Sequence, residues 1–149
     1  VQFVEVAVDT ETGLIEITDH FGGSDAGTIM NPRAAYNQMT SFFAGLDVAI
    51  REETVWDKWD NKVLNPNLIE YKARTFNEAP PHDHVCLEST KGRESDFPFG
   101  AMGIGEPIIS PSGPAITMAV YNACGIELEE YPYLPAKVLA ALKEKEDRA

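Results

Sequence analysis

The chain is 149 residues long and 44% apolar, the size and composition of one soluble globular domain with a real core. Its 24 acidic against 12 basic side chains leave a net charge of −12 at pH 7, which repels phosphate backbones and anionic lipid surfaces and argues against nucleic acid and membrane as partners. Two cysteines, Cys86 and Cys124, stand far apart and outside any C-x-x-C spacing, so neither a disulfide framework nor a zinc cluster is indicated and a reducing, cytoplasmic setting is expected.

The opening VQFVEVAVDT lacks the basic and apolar regions of a signal peptide, and no apolar run reaches the roughly 20 residues of a membrane span. It begins at Val1 inside a strand-like alternation, as expected of a processed chain or of the tail piece of a longer one. VQFVEVAVD and LIEIT both alternate apolar and polar residues around the turn ETG, which predicts a β-hairpin. DAGTIMNP reads as a strand and turn that deliver a helix. Asn31 is its cap, Pro32 its first position, and Ala34, Ala35, Gln38, Phe42, Leu46 and Ile50 recur at helical spacing, so one helix is expected over 32–50. Thr54 to Trp59 resembles a short strand. The asparagine- and proline-rich NKVLNPNLIEYKARTFNEAPPHDH reads as a long connecting loop, a length that is uncommon without a task. Val85 to Glu88 predicts another strand. Pro114 opens a helix with Ile116, Ala119, Val120 and Ala123 on one face and Gly125 as its stop; IELEEY then reads as a strand, and Pro135 opens a last helix through Leu142. The expected fold is α+β: a mixed sheet with an N-terminal hairpin, two core helices and a C-terminal helix.

Between the predicted strand at Val85 to Glu88 and the helix opened by Pro114 lies FGAMGIGEP, Phe99 to Pro107. A single carboxylate, Glu106, follows Gly103 and Gly105 and is clamped by Pro107. A solvated acid needs no such frame, whereas residues without Cβ allow something to come very close to the backbone. In chain order VEVAVDTETG, DAGTIMNP, Gln38 seven residues after Asn31, LNPNLIEYK, FGAMGIGEP, AVYNACG and LPAKVLAAL form a series. That series resembles the C-terminal part of the molybdenum-binding subunit of the xanthine dehydrogenase and aldehyde oxidoreductase family of molybdenum hydroxylases, over nearly the whole chain.

The resemblance implies that residues 1–149 are one lobe of a larger molybdopterin-binding domain. It implies hydroxylation of an electron-poor carbon of a small aldehyde, purine or N-heteroaromatic substrate, with water as the oxygen source. Glu106 would be the base, a role that wants an ionised carboxylate within hydrogen-bonding reach of the proton it takes. Gln38 would contact the pterin, because an amide both donates and accepts, and Gly103 and Gly105 would let the cofactor approach the main chain. The implied cofactor is molybdopterin with molybdenum, in plain or cytosine dinucleotide form, with [2Fe-2S] clusters and FAD on partner chains or domains and the rest of the molybdenum subunit supplied elsewhere. Two positions depart from the family pattern. QMTSFFAG carries Ser41 and Phe42 where small glycine is common, and Met102 stands where lysine is frequent. These departures favour the alternative of a noncatalytic docking domain of such a complex.

Other residues have plainer readings beside their functional ones. His82, His84 and Cys86 alternate as zinc or copper ligands can, but no fourth ligand is in sight and surface-loop histidines are the expectation. Trp56, Trp59 and Phe76 could stack on a ligand ring, and hydrophobic packing under the long loop is the more frequent explanation. Gly22, Gly23 and Gly27 lack the G-x-G-x-x-G pattern and the P-loop lysine of a phosphate cradle.

Overall fold

A computed structural model describes residues 1–89 and 96–148. Strands β1 (Gln2–Val8) and β2 (Ile15–Asp25) form the expected antiparallel hairpin, with Gln2 opposite Gly22, Val8 opposite Ile15 and a register shift between Glu5 and Val6. The strand β2 runs past LIEIT and through the glycine pair. Gly22 does not turn the chain there: a Cβ on it would lie 3.2 Å from the His20 ring, so the glycine makes room inside the strand. Strand β3 (Asp83–Leu87) pairs in parallel with this second half of β2, Phe21 opposite Asp83 and Asp25 opposite Leu87, giving a three-stranded mixed sheet in the order β1-β2-β3. Parallel pairing requires a crossover, and residues 26–82 supply it.

Helices α1 (Pro32–Met39) and α2 (Phe42–Ile50) occupy the region where one helix is expected. The Asn31 side chain caps the first as predicted, accepting from the Ala34 N–H at 3.1 Å. The break falls at Thr40-Ser41. The Thr40 hydroxyl donates to the Asn37 carbonyl at 2.7 Å and the Gln38 amide donates to the Ser41 hydroxyl at 2.9 Å, a local alternative to the helical ladder that alanines would not offer. Helix α3 (Ser112–Cys124) ends at Gly125, which is left-handed with φ 65°, and Lys145 from helix α4 (Pro135–Arg148) donates to the Cys124 carbonyl at 2.7 Å. Ile116 and Val120 of the predicted face are buried while Ala123 is exposed. Among the described residues no helix is long and apolar enough to cross a membrane.

Two predicted strands are absent. Thr54 to Trp59 contributes only an isolated bridge from Trp56 to Val63, and IELEEY forms no strand. Neither segment pairs with the sheet at β1 or β3, and Ile126 instead packs into the core. That core joins Ile17 of the sheet to Met39, Phe42, Leu46 and Ala49, and through α3 to Val138 of α4. Helices α2 and α3 meet at Gly45, where a Cβ would lie 2.5 Å from the Ile109 carbonyl oxygen.

The three histidines lie near one another: His20 is buried on β2, His84 is half-buried on β3, and His82 is exposed in the loop just before β3, the surface position expected of it. His20 is 1% exposed and stacks on Phe42 with ring centroids 3.7 Å apart. His82 lies edge-on to Phe43 at 5.1 Å, and His84 tilts against Tyr36 at 5.2 Å. Burial, then the neighbouring His82 and His84, lower the pKa of His20 to about 4 against the opposing pull of Asp19.

Two outcomes test this packing. Gly45→Ala should gain about 1 kcal/mol of helix propensity but lose more to the backbone overlap, for a net loss of about 1–2 kcal/mol in chemical denaturation; equal or higher stability contradicts the close helix contact. For His20, the folded chain excludes a proton that the unfolded chain binds near pH 6.5, so stability is full above that value and falls as pH drops toward 4. After allowance for solvent screening the loss is about 2 kcal/mol, and a His20→Leu variant should lack that part of the pH dependence in parallel denaturation titrations.

Candidate functional site

The glycine-rich segment is fixed by backbone bonds to the loop after β2. The Thr28 N–H donates to the Gly100 carbonyl at 2.8 Å and the Met102 N–H to the Ala26 carbonyl at 2.8 Å, around a bridge between Gly27 and Ala101. The loop is itself held at both ends. Asp25 accepts from the Gly27 N–H at 2.9 Å and from the Ser89 hydroxyl, and Glu88 accepts from the Ile29 N–H at 2.9 Å. Asp25 two residues before Gly27 is an Asx-turn signal that sequence reading could have used to find this anchor.

A cleft of about 360 Å³ opens between this loop, α1 and the glycine segment, lined among others by Thr28, Met30, Ala35, Gln38, Met102 and Gly105. It brings together two of the residues singled out in the sequence, Gln38 and Gly105. Gln38 is half-buried, and its bond to Ser41 commits one amide hydrogen while leaving the carbonyl oxygen and the second hydrogen available. Met102, at the position where lysine is frequent, gives that wall an apolar side chain. Thr28 and Met30 were not singled out from the sequence, because nothing in their types or spacing marks them.

Glu106 adjoins Gly105 and begins a short 3-10 turn, Glu106–Ile108. The turn is anchored from its far end: Ile108 is buried, and the Gln2 amide donates to its carbonyl from the start of β1. The Glu106 carbonyl accepts from the Ile109 and Ser110 N–H groups at 2.9 and 3.2 Å. Its side chain is exposed and, among the described residues, has no hydrogen-bond or ion-pair partner. A fixed backbone thus presents an unpartnered carboxylate. A Cβ at Gly103 or Gly105 would meet nothing within 4 Å, and neither residue has positive φ. The chain's own packing therefore does not demand glycine at either position.

The second constellation comes out differently. His84 lies on β3 beside His82, but both its ring nitrogens are buried without a hydrogen-bond partner. Among the described residues no three histidine, cysteine or acidic side chains are grouped to hold a metal. Burial, with the Asp25 carboxylate beside it, raises the pKa of the half-buried Cys86 thiol and so disfavours its thiolate. Trp59 and Phe76 are each 96% exposed and do not pack under the long loop.

Residues 1–80 match the family described as the molybdopterin cofactor-binding domain. Over 142 residues the chain is 32% identical to a probable hypoxanthine oxidase of Escherichia coli (strain K12), an alignment covering 95% of this chain and 14% of the relative. It is 31% identical to the aldehyde oxidoreductase molybdenum-binding subunit of the same organism, covering 94% of this chain and 19% of that one. The fold superposes on the aldehyde oxidoreductase from Desulfovibrio desulfuricans ATCC 27774 with a TM-score of 0.79 at 27% identity, over 93% of this chain and 15% of that one. The chain therefore spans between one seventh and one fifth of the length of these relatives.

Proposed function

The chain belongs to the molybdopterin cofactor-binding family of the xanthine dehydrogenases and aldehyde oxidoreductases, and from that premise we propose that it forms one wall of a molybdenum hydroxylase active site. The observation that carries the proposal is the convergence of Gln38 and Gly105 on one cleft, with the unpartnered carboxylate of Glu106 on the adjoining residue. Residues 1–149 then correspond to the C-terminal part of the larger cofactor-binding domain. The remainder of the molybdenum subunit, and iron-sulfur and flavin partners, complete the enzyme.

The residues fit such a group as a wall and not as a cage. Gly103 and Gly105 leave open space where side chains would stand, and Gln38 offers both a donor and an acceptor. When bound, molybdopterin with its molybdenum, in plain or cytosine dinucleotide form, supplies the two-electron redox chemistry. This chain's contribution is a proton acceptor at the Glu106 carboxylate and an amide that orients the pterin. The anchored turn keeps the carboxylate in place, and its lack of an internal partner leaves it free to take a proton from the water-derived oxygen. A small aldehyde, purine or N-heteroaromatic molecule is the substrate class.

In the assembled enzyme Glu106→Gln keeps the shape and hydrogen-bonding reach of the side chain but removes its basicity. Turnover should fall by about 100-fold to 10,000-fold with the cofactor retained; turnover equal to that of the parent enzyme would remove Glu106 from the mechanism. Gly103→Ala separates folding from cofactor approach. Thermal stability of the chain should change by no more than about 0.5 kcal/mol, while cofactor content of the enzyme drops. Full cofactor content in that variant would mean that nothing approaches the backbone at Gly103.

A further inference from the structure

We propose that residues 55–76 are the surface on which this chain seats against the remainder of the molybdenum-binding subunit, an inference that rests on the functional reading above. The stretch exposes Trp56, Trp59, Leu64, Leu68, Ile69 and Phe76, with Trp59 and Phe76 at 96%, Leu68 at 83% and Ile69 at 82%. Isolated apolar residues on a surface are ordinary, but a concentration of large ones on a single segment marks an interaction site.

Apart from the Trp56–Val63 bridge and the 3-10 turn that begins at Phe76, the segment lacks regular secondary structure, yet its backbone is tied down. Buried Asn65 accepts from the Val55 N–H at 2.9 Å and donates to the Glu53 carbonyl at 2.6 Å, closing the base of the Trp59 loop. Asn67 accepts from the Ile69 and Glu70 N–H groups at 3.0 and 3.2 Å and so shapes the tip that carries Leu68 and Ile69. Behind them the Tyr71 hydroxyl donates to Glu52 at 2.7 Å, and Arg74 reaches the buried Asp47 at 2.8 Å. Asn65, Tyr71 and Arg74 are turned toward the body of the chain and hydrogen-bonded there, while the large apolar side chains of the same stretch face out. Ordering a segment costs about 1–2 kcal/mol per residue in backbone entropy, and here the compensating apolar burial has to come from outside the chain.

Charge points to the occupant. Residues 51–80 hold five of the twelve basic side chains and six of the twenty-four acids, so this region is nearly neutral and the rest of the chain carries almost all of the −12. A near-neutral apolar patch with lysines at its edge suits the core and rim of a protein interface. A second copy is a poor occupant, because two chains of net charge −12 repel each other. The matched relatives supply the alternative: in each the corresponding fold is at most 19% of a much longer chain, so most of the polypeptide that could cover the patch lies outside this one.

The test is photocrosslinking in the native complex. Chains carrying p-benzoylphenylalanine at position 59, at position 76 or, as a control on the exposed face of α4, at position 146 are irradiated, and the joined peptides are identified by mass spectrometry. The expected result is cross-links from 59 and 76 to peptides of the molybdenum-subunit remainder, at a yield at least tenfold above position 146. Cross-links to a second copy of this chain or to any other protein, or a yield no higher than the control, overturn the proposal. Molybdenum is assayed in the same samples: metal retained without those cross-links sinks the docking surface alone, whereas metal absent from an intact cross-linked complex sinks the functional reading and leaves the surface standing.

Discussion

The pair of backbone bonds between residues 26–28 and 100–102 is the constraint on which the site depends. Gln38 sits on a helix launched from the loop after β2, while Gly105 and Glu106 come much later in the chain, after the crossover and β3. Nothing in either segment alone would bring them to one cleft. The bridge at Gly27 and Ala101 does so, and the Asp25 and Glu88 carboxylates brace its loop against the end of β3. Because these are short, local bonds at the end of a parallel strand pair, the site inherits its geometry from the sheet. From the other side, burial of Ile108 and the bond from Gln2 fix the Glu106 turn to the start of β1.

The same sheet sorts the chain's chemistry into two regions. Its inner side packs His20 on the Phe42 ring, where burial keeps it neutral over the whole physiological range. Its far end frames an open cleft lined by Gly105, where a Cβ would meet no atom of this chain within 4 Å. The exposed tryptophan-bearing loop adds a third surface without an internal partner. The open cleft and the bare loop are the two surfaces on which the proposed cofactor wall and docking face rest.

Local signals in the sequence located what local forces determine. Period-two alternation found the hairpin, the Asn31-Pro32 pair found the start of α1, and Pro114 with Gly125 bracketed most of α3. The strand misreadings share one cause, the dependence of strands on distant neighbours. Thr54 to Trp59 and IELEEY resemble strands in isolation, but neither pairs with the β1-β2-β3 sheet. The break between α1 and α2 was carried by Thr40 and Ser41, whose hydroxyls compete for backbone or amide partners in a way that apolar periodicity does not register. For the site, Glu106, Gln38, Gly103 and Gly105 came from a resemblance and from the oddness of an acid behind two glycines. Their spatial relation did not, because no spacing rule encodes a contact across a crossover.

The most direct test of the account is the ratio of molybdenum to this chain in the natively purified complex, by elemental analysis against quantified protein. A wall of a working cofactor site requires close to one molybdenum per copy. A complex that is intact and free of molybdenum would contradict the account, and would leave GAMGIGEP as an inherited loop on a domain whose task is docking.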